Sequence, residues 1–314
     1  MDDFNPFSLK PDISASSKKL YTHNLTKLNG GKPIKNLNFL SKKDVLERLD
    51  ALTPNTRRTY LIAIVSCLKD RPEKKYKTLY AKYYEPLMTL NKELKDNTHK
   101  TEKVKENWVE QSAVQDKLKE CLGVIEEISG KTKLNLTDYN RLLNATILSL
   151  YVLQPPRRNK DYTDMFIVRG VPESTDKNYL DIDGKTWRWI FNNYKTQKKY
   201  KQQIVDVPDD LKTVLEVYIK FHPQSKLLKK KTLRNDATLE PVQFLVHYDD
   251  KPINTSTEMT RLLNRIFGKK VGVSMLRASY LTDKYGDKIK DLDDTTLAMG
   301  TSVDVAMNNY IKKD

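Results

Sequence analysis

The fold is decided around residues 137–161, TDYNRLLNATILSLYVLQPPRRNKD. The first part of this stretch predicts a buried helix over residues 137–153, with Thr137 as its N-cap, because apolar residues dominate it and threonine is a favoured cap. Pro155 and Pro156 stand at the end of that helix, where proline is expected because it cannot continue one. After this stretch the hydrophobic period changes from that of helices to that of strands.

On the carboxyl side, short strands alternate with further helices. Strands are predicted at 164–169, 185–194, 202–207 and 243–247, with a turn signal at Asp183-Gly184. Helices are predicted after Pro208, from the capping box Thr255–Glu258, and over 273–312 with short breaks. The chain is therefore predicted to be mostly α with a small β-sheet, an α+β fold.

On the amino side, the pattern predicts a separate helical domain. Helical spacing at residues 38–95 indicates three helices, the second beginning near Thr53-Pro54 with proline in its first turn. Residues 96–106 are polar and are interpreted as a linker. Residues 1–37 are rich in Ser, Asn, Lys and Gly and are interpreted as an N-terminal arm. The remaining 107–314, which open with a helix at 111–128, form the larger domain.

The charge of the chain points to a polyanionic partner. Among 314 residues, 56 are Lys or Arg and 41 are Asp or Glu, a net charge of +15. Residues 1–100 hold 20 basic and 11 acidic residues, so their net charge is +9. This bias favours nucleic acid as the partner, although a solvated lysine-rich surface has the same composition.

Several classes of protein are excluded by composition. The chain lacks an apolar run of the roughly 18 residues that a membrane span needs. Its start, Met1-Asp2-Asp3-Phe4, lacks the features of a signal peptide. Two cysteines cannot build a disulfide framework, so an intracellular compartment is expected. The four histidines and two cysteines are scattered, which argues against a zinc site or a catalytic Cys/His site.

Five short signals follow one another in a fixed order. The first is Gln154–Asp161, which contains Arg157-Arg158, and the second is Lys195 at the end of a predicted strand. The third is Ser274-Met275-Leu276-Arg277, the fourth Met299-Gly300-Thr301-Ser302, and the fifth Tyr310, nine residues beyond Thr301.

In this order the chain resembles the tyrosine recombinase (phage integrase) family, in the divergent form found in large DNA viruses and mobile elements. Arg158 and Asp161 match the family's arginine and the acidic residue three positions later. Lys195 matches its hairpin lysine, Arg277 its box arginine, and Tyr310 its nucleophile at the family's spacing. The helical domain at 38–95 is similar to the family's core-binding domain.

Two positions depart from the family pattern. Ser274 stands where the family has His or Lys, and Thr301 where it has His or Trp. Both hydroxyls can hydrogen-bond a phosphate oxygen, but neither accepts a proton near pH 7.

The resemblance implies site-specific recombination or integration of double-stranded DNA through a 3′-phosphotyrosine formed by Tyr310. Arg158 and Arg277 would clamp the phosphate, Lys195 would protonate the leaving 5′-oxygen, and Asp161 would orient a basic side chain. Ser274 and Thr301 complete the set, and neither metal nor cofactor is required. Four protomers would act on two duplexes, while a monomer or dimer is expected without DNA, in a host nucleus or cytoplasm.

The helical domain at 38–95 is expected to bind phosphates through basic side chains on or beside its predicted helices. These candidates are Arg57, Arg58, Lys74, Lys75 and Lys77. Their loss should weaken binding to every DNA sequence alike.

Other interpretations stay open at this point. Arg157 could replace Arg158 as the clamp, and Lys198, Lys199 or Lys201 could replace Lys195. Tyr310 could be a core tyrosine of a terminal helix. The whole chain could be a DNA-binding protein without chemistry, which the missing histidines favour, or a tyrosine-type topoisomerase.

Overall fold

The computed structural model describes residues 4–96, 101–170, 175–229 and 242–311. The chain divides into two compact units, Met1–Thr101 and Glu102–Asp314. The boundary falls within residues 96–106, the predicted linker. Helices dominate, and the described residues contain one small five-stranded sheet, which confirms the predicted α+β class.

The first unit is built from helices. They are α1 (Ala15–Leu28), α2 (Lys43–Asp50), α3 (Pro54–Leu68) and α4 (Lys74–Asp96), with a 3-10 turn at Asn38–Ser41. Pro54 occupies the first turn of α3, where its missing N–H costs no hydrogen bond. Tyr83 is buried in the core and its hydroxyl donates to the Leu40 carbonyl at 2.6 Å, which ties α4 to the 3-10 turn.

The described residues 4–37 do not form a separate arm, which corrects the prediction for residues 1–37. Leu25 and Leu28 of α1 are buried, and Phe7 and Leu37 join the same core. These apolar residues are few and widely spaced, so the sequence gives only a weak helical signal here. Each burial still stabilises the unit by about 1.5–3 kcal/mol.

The second unit is arranged around one buried helix. Its helices are α5 (Glu102–Asn107), α6 (Gln111–Ser129), α7 (Leu136–Val152), α8 (Lys160–Thr163), α9 (Gln197–Tyr200), α10 (Asp209–Phe221), α11 (Ser225–Leu228), α12 (Ser256–Phe267), α13 (Val273–Ala298) and α14 (Val303–Val305). Ten of the 17 residues of α7 are buried, and α6, α10 and α12 pack against it.

The cap of α7 differs from the prediction. Asn135, rather than Thr137, is the N-cap, and its side-chain oxygen accepts from the Asp138 N–H at 2.8 Å. Thr137 lies in the first turn instead. Asparagine and threonine are both good caps, so propensity alone could not place the helix start. The predicted cap of α12, Thr255, is confirmed, since its side chain accepts from the Glu258 N–H.

The sheet has the strand order β4-β3-β2-β1-β5. Its strands are β1 (Met165–Val168), β2 (Asn178–Asp181), β3 (Arg188–Phe191), β4 (Gln203–Asp206) and β5 (Val242–Gln243). β1 and β2 are parallel, and the other neighbours are antiparallel. The predicted strands at 164–169, 185–194 and 202–207 are confirmed with shorter bounds, whereas only the first residue of the strand predicted at 243–247 belongs to β5.

Strand β2 was not predicted because polar side chains break its pattern, yet all four of its residues are buried. The Asn178 amide donates to the Asp161 and Asn193 carbonyls, at 2.9 and 3.0 Å. The carboxylate of Asp181 accepts from the Gly170 N–H and from Arg188, both at 2.8 Å. These bonds satisfy the buried polar groups and make the strand compatible with the core.

The carboxyl-terminal part is more continuous than predicted. One helix of 26 residues, α13, covers most of 273–312, followed by α14 and a π-helical turn at Ala306–Tyr310. Gly286 lies inside α13 without ending it. Between residues 281 and 295, only Gly286 and Leu292 are partly covered and the other side chains are exposed.

None of the helices that the structure describes is long and apolar enough to cross a membrane. Within the same part of the chain, no group of three or more His, Cys, Asp or Glu side chains is placed to hold a metal ion.

Candidate anion-binding site in the second unit

The residues after α7 form one wall of a pocket. Pro155 and Pro156 stop the helix, and the chain passes through Arg157 and Arg158 before it turns into α8. The pocket has a volume of about 310 Å³. It is lined by Pro155, Pro156, Arg157, Arg158, Asp161, Tyr194, Thr196, Tyr200, Gln203 and Arg277. Three guanidinium groups from two distant parts of the sequence therefore meet in one cavity.

Arg157 is the most firmly held of the three arginines. Its Nε donates to Asp161 Oδ2 at 2.9 Å, and its Nη1 donates to Gln203 Oε1 at 3.0 Å. Its guanidinium carbon lies 3.7 Å from the centroid of the Phe191 ring, where a cation–π contact stabilises it. The acidic residue therefore orients Arg157 rather than Arg158, the residue that the family pattern pairs with it.

Asp161 is almost fully buried, with a side chain that is 4% exposed. Burial raises the pKa of this carboxyl, while the charge and hydrogen bond of Arg157 act in the opposite direction. Its second oxygen, Oδ1, has no hydrogen-bond partner among the described residues. A buried carboxylate of this kind is costly unless a cation stays beside it, so Asp161 and Arg157 stabilise each other in place.

Arg158 and Arg277 are half-buried, and neither forms a salt bridge with a described residue, although the Asp161 carboxylate in the same pocket attracts both at longer range. Burial lowers the pKa of Arg277, and the neighbouring Arg158 lowers it further, against the attraction of Asp161. Arginine nonetheless keeps its charge. Two unpaired cations that face one pocket repel each other, so an anion bound between them would be stabilised.

Lys195 lies beside the pocket rather than in it. The predicted β-hairpin is confirmed, since β3 and β4 pair antiparallel and Lys195 lies in their connection. Its side chain is exposed, and its neighbours Tyr194 and Thr196 line the pocket while Lys195 does not. The alternatives Lys198, Lys199 and Lys201 are exposed as well, and none of them lines the pocket.

The remaining predicted residues are not gathered with the arginines. Ser274 is exposed in the first turn of α13, outside the lining, and makes no hydrogen bond that the described residues show. From Arg277 the continuous helix runs to Ala298, a rise of about 32 Å at 1.5 Å per residue. Thr301 follows Gly300, and its N–H donates to the Thr296 carbonyl at 2.9 Å.

Tyr310, the predicted nucleophile, ends the π-helical turn and is 62% exposed. It does not line the arginine pocket. The side chain of Tyr310 is therefore exposed, and it is not part of the cavity that Arg158 and Arg277 line.

The sequence pattern did not identify four of the pocket residues, Tyr194, Thr196, Tyr200 and Gln203. The Tyr194 hydroxyl donates to the Lys201 carbonyl at 2.6 Å and closes the β3–β4 connection. Tyr200 is 52% exposed at the pocket, and Gln203 opens β4. Their only sequence signal was their place in the predicted hairpin, close to Lys195.

The DNA-binding residues predicted in the first unit fall into two groups. Arg57 is paired with Asp50 at 2.9 Å, Arg58 donates to Asn91, and Lys75 donates to Asn38 at 3.0 Å. Lys74 and Lys77 extend from α4 into solvent. Two of the five are thus exposed, with side chains that make no hydrogen bond or ion pair with a described residue, and three are partly engaged within the unit.

No family model matches the chain, and no curated protein or solved structure matches it.

Proposed function

We propose that the chain cleaves and rejoins double-stranded DNA by transesterification, as a site-specific recombinase or integrase of the tyrosine type. The observation that carries the proposal is the pocket in which Arg158 and Arg277 lie without a salt bridge to any described residue. The order of Arg158, Lys195, Arg277 and Tyr310 along the sequence supports the same reaction.

The reaction explains why paired arginines are needed. A phosphodiester resists attack because its non-bridging oxygens are anionic, and charge accumulates on them as a fifth ligand joins the phosphorus. Two guanidiniums offset this charge with forked hydrogen bonds. Arg157, which is adjacent to Arg158 in the chain, is held in place by hydrogen bonds to Asp161 and Gln203.

The proposed chemistry has two transfers. The Tyr310 oxygen attacks the phosphorus and gives its proton to solvent water, the bond from phosphorus to the 5′-oxygen breaks, and the Lys195 ammonium protonates that oxygen. The 5′-hydroxyl of a second strand then attacks the phosphotyrosine, gives its proton to the neutral Lys195 amine and releases Tyr310, whose oxygen takes up a proton from solvent. The energy of the broken bond is kept in the intermediate, so no nucleotide is consumed.

This reaction requires Tyr310 to reach an arginine pocket, either in its own chain or in another protomer. The exposed turn that carries Tyr310 is compatible with such a movement. Recombination between two duplexes would use four protomers, and the basic side chains of the first unit would contribute affinity for DNA.

The test is covalent capture on nicked duplexes drawn from a pool of random sequences, without metal, followed by denaturing electrophoresis. We expect a protein–DNA adduct with the wild type and none with Tyr310→Phe. Tyr285→Phe, at another exposed tyrosine, is the matched control and should form the adduct normally. An adduct that persists in Tyr310→Phe would contradict the assigned nucleophile.

A second candidate is a DNA-binding protein that does not cleave. It is favoured by the position of Tyr310 and Lys195 outside the pocket lining and by Ser274 and Thr301 in place of proton-transferring residues. It predicts salt-sensitive binding that Arg158→Ala and Arg277→Ala weaken, together with no adduct on any member of the pool.

A further inference from the structure

A second pocket, in the first unit, is lined by lysine and asparagine. Its volume is about 560 Å³. Its lining consists of Asn29, Lys32, Pro33, Lys35, Asn36, Asn38, Phe39 and Lys42. Most of it lies in the segment that composition alone assigns to a loose arm.

The chain builds most of this pocket from the segment that follows α1. Gly30 and Gly31 both have positive φ, at 69° and 79°, a conformation that suits glycine. The Gly31 N–H donates to the Thr26 carbonyl at 2.9 Å and ends the helix. Leu37 is fully buried, so the loop between it and Gly31 is fixed at both ends.

The polar groups of the pocket are arranged as donors. Asn36 Oδ1 accepts from the Asn38 N–H at 2.9 Å, and Asn38 Oδ1 accepts from Lys75 Nζ at 3.0 Å. Both oxygens are therefore used, which leaves the two amide NH₂ groups to donate. Asn29 fixes the loop, because its NH₂ donates to the Lys32 and Pro33 carbonyls at 3.1 and 3.2 Å.

The charge of the pocket has one sign. Lys32, Lys35 and Lys42 are exposed and form no ion pair with any described residue. None of the described residues that line the pocket is acidic. Three ammonium groups and two free amide NH₂ groups thus surround a cavity larger than a single phosphate.

We infer that this pocket binds the phosphate backbone of duplex DNA. Ammonium groups on flexible stems act as point charges, which suits sequence-independent contacts along a phosphate chain. The inference rests on the proposed function only in taking DNA as the polyanion. It assigns the contact to Lys32, Lys35 and Lys42, none of which was among the predicted DNA-binding residues.

The first test compares two triple variants of the full chain that lose the same charge. K32Q/K35Q/K42Q removes the pocket lysines, and K18Q/K19Q/K92Q removes three lysines of the same unit outside the lining. Binding to a random-sequence duplex of about 30 base pairs is measured by fluorescence anisotropy at several salt concentrations. We expect the pocket variant to reduce the slope of log affinity against log salt by about 0.9 for each phosphate that is no longer neutralised. Equal slopes in the two variants would overturn the inference.

A second test compares two single substitutions, each of which replaces one side-chain amide with a carboxylate. Asn36→Asp keeps the oxygen that accepts the Asn38 N–H and replaces the free NH₂ with an anionic oxygen. Asn5→Asp is matched, because Asn5 Oδ1 accepts from the Phe7 N–H at 3.1 Å in the same local geometry. We expect Asn36→Asp to bind DNA about fivefold more weakly than Asn5→Asp, from one added repulsion at short range. Identical affinities would contradict the assignment.

Failure of this inference is distinguishable from failure of the proposed function. If wild type forms the Tyr310 adduct while both triple variants bind DNA alike, only the lysine pocket is wrongly assigned. If no adduct forms while the pocket variant alone loses DNA binding, only the cleavage proposal fails. Selective loss of binding to phosphatidylserine vesicles, with DNA binding unchanged, would overturn DNA as the occupant.

Discussion

The two cation-lined pockets are built on different principles. In the second unit, Arg157 is fixed by hydrogen bonds and by an aromatic ring, and half-buried Arg158 and Arg277 face the same cavity. In the first unit, exposed lysines surround an open loop. Planar guanidiniums in fixed positions can orient a phosphate, whereas mobile ammonium groups only attract one. We therefore expect chemistry to depend on the arginine pocket and affinity to depend on the lysine pocket.

The largest effect should come from Arg277→Lys, which keeps the charge and removes the forked geometry. We expect the rate of adduct formation to fall by about 10²–10³-fold, because the lost donors act on the transition state. DNA affinity at equilibrium should change little. Arg261→Lys, at an exposed arginine of α12, is the control and should react at the wild-type rate. If Arg277→Lys lowered the DNA affinity as much as it lowers the rate of adduct formation, the arginine pocket would contribute to binding rather than to chemistry, which would contradict this division of roles.

Acid should weaken the unit that holds the arginine pocket. His222 is buried, its Nε2 lies 3.0 Å from the Gln243 carbonyl, and its Nδ1 accepts from the Gln224 N–H. Burial lowers the pKa of His222 from 6.5 to about 4. The folded state therefore excludes a proton that the unfolded state binds, so stability is full above pH 6.5 and falls as the pH drops towards 4. The loss is about 3 kcal/mol.

Tryptophan fluorescence during urea unfolding measures this loss, because Trp108, Trp187 and Trp189 all lie in the second unit. His222→Gln should flatten the dependence on pH between 6.5 and 4, whatever its stability at pH 7. His23→Gln, at a histidine of the first unit, should leave the dependence unchanged. The same steep curve in His222→Gln would assign the acid sensitivity to another group.

A smaller effect is expected from Asp161→Asn, which releases Arg157 without changing the size of the side chain. Adduct formation should slow by about tenfold, the effect of a misplaced supporting group rather than of a missing phosphate ligand. DNA affinity should remain close to that of wild type. Asp164→Asn breaks a more exposed pair with Lys177 in the same region and should have no effect on the rate. Equal rates for the two variants would show that Arg157 does not need its carboxylate partner.

The smallest effect concerns the helix that leads into the arginine pocket. Asn135→Ala removes the cap of α7 and should lower the free energy of unfolding of the second unit by about 1 kcal/mol. Thr137→Ala should change it by no more than a few tenths, because Thr137 does not cap the helix. Tryptophan fluorescence against urea compares the two, and the opposite ranking would restore Thr137 as the cap.

The parts of the fold that were predicted correctly are those in which the spacing of apolar residues fits one type of secondary structure clearly. Helix α6 begins at Gln111 and α12 begins after the Thr255 cap, as their apolar spacing and, for α12, the capping box indicate. Strand β2 escaped prediction because Asn178 and Asp181 are buried through hydrogen bonds rather than through apolar contact. Residues 4–37 were misread because two leucines of α1 contribute to the core despite a polar surrounding sequence.

The sequence predicted which segments contribute to the candidate site, but it did not predict which side chains bind each other there. The resemblance to the recombinase pattern pointed to the Arg157–Arg158 turn, Asp161 and Arg277, and these residues share a pocket. Spacing could not decide which arginine Asp161 binds, because Gln203 and Phe191, which fix Arg157, come from β4 and β3 and reach it only through sheet pairing. It also could not show that α13 runs without a break between Arg277 and Ala298.

Each unit consists of one uninterrupted stretch of chain, and this determines the order in which the two pockets form on the ribosome. The lysine pocket is complete once the first unit has left the exit tunnel. The arginine pocket waits for Arg277, about 10 to 35 s later at ordinary rates of synthesis. A nascent chain should therefore attract polyanions through its lysine pocket before its arginine pocket can orient a phosphate.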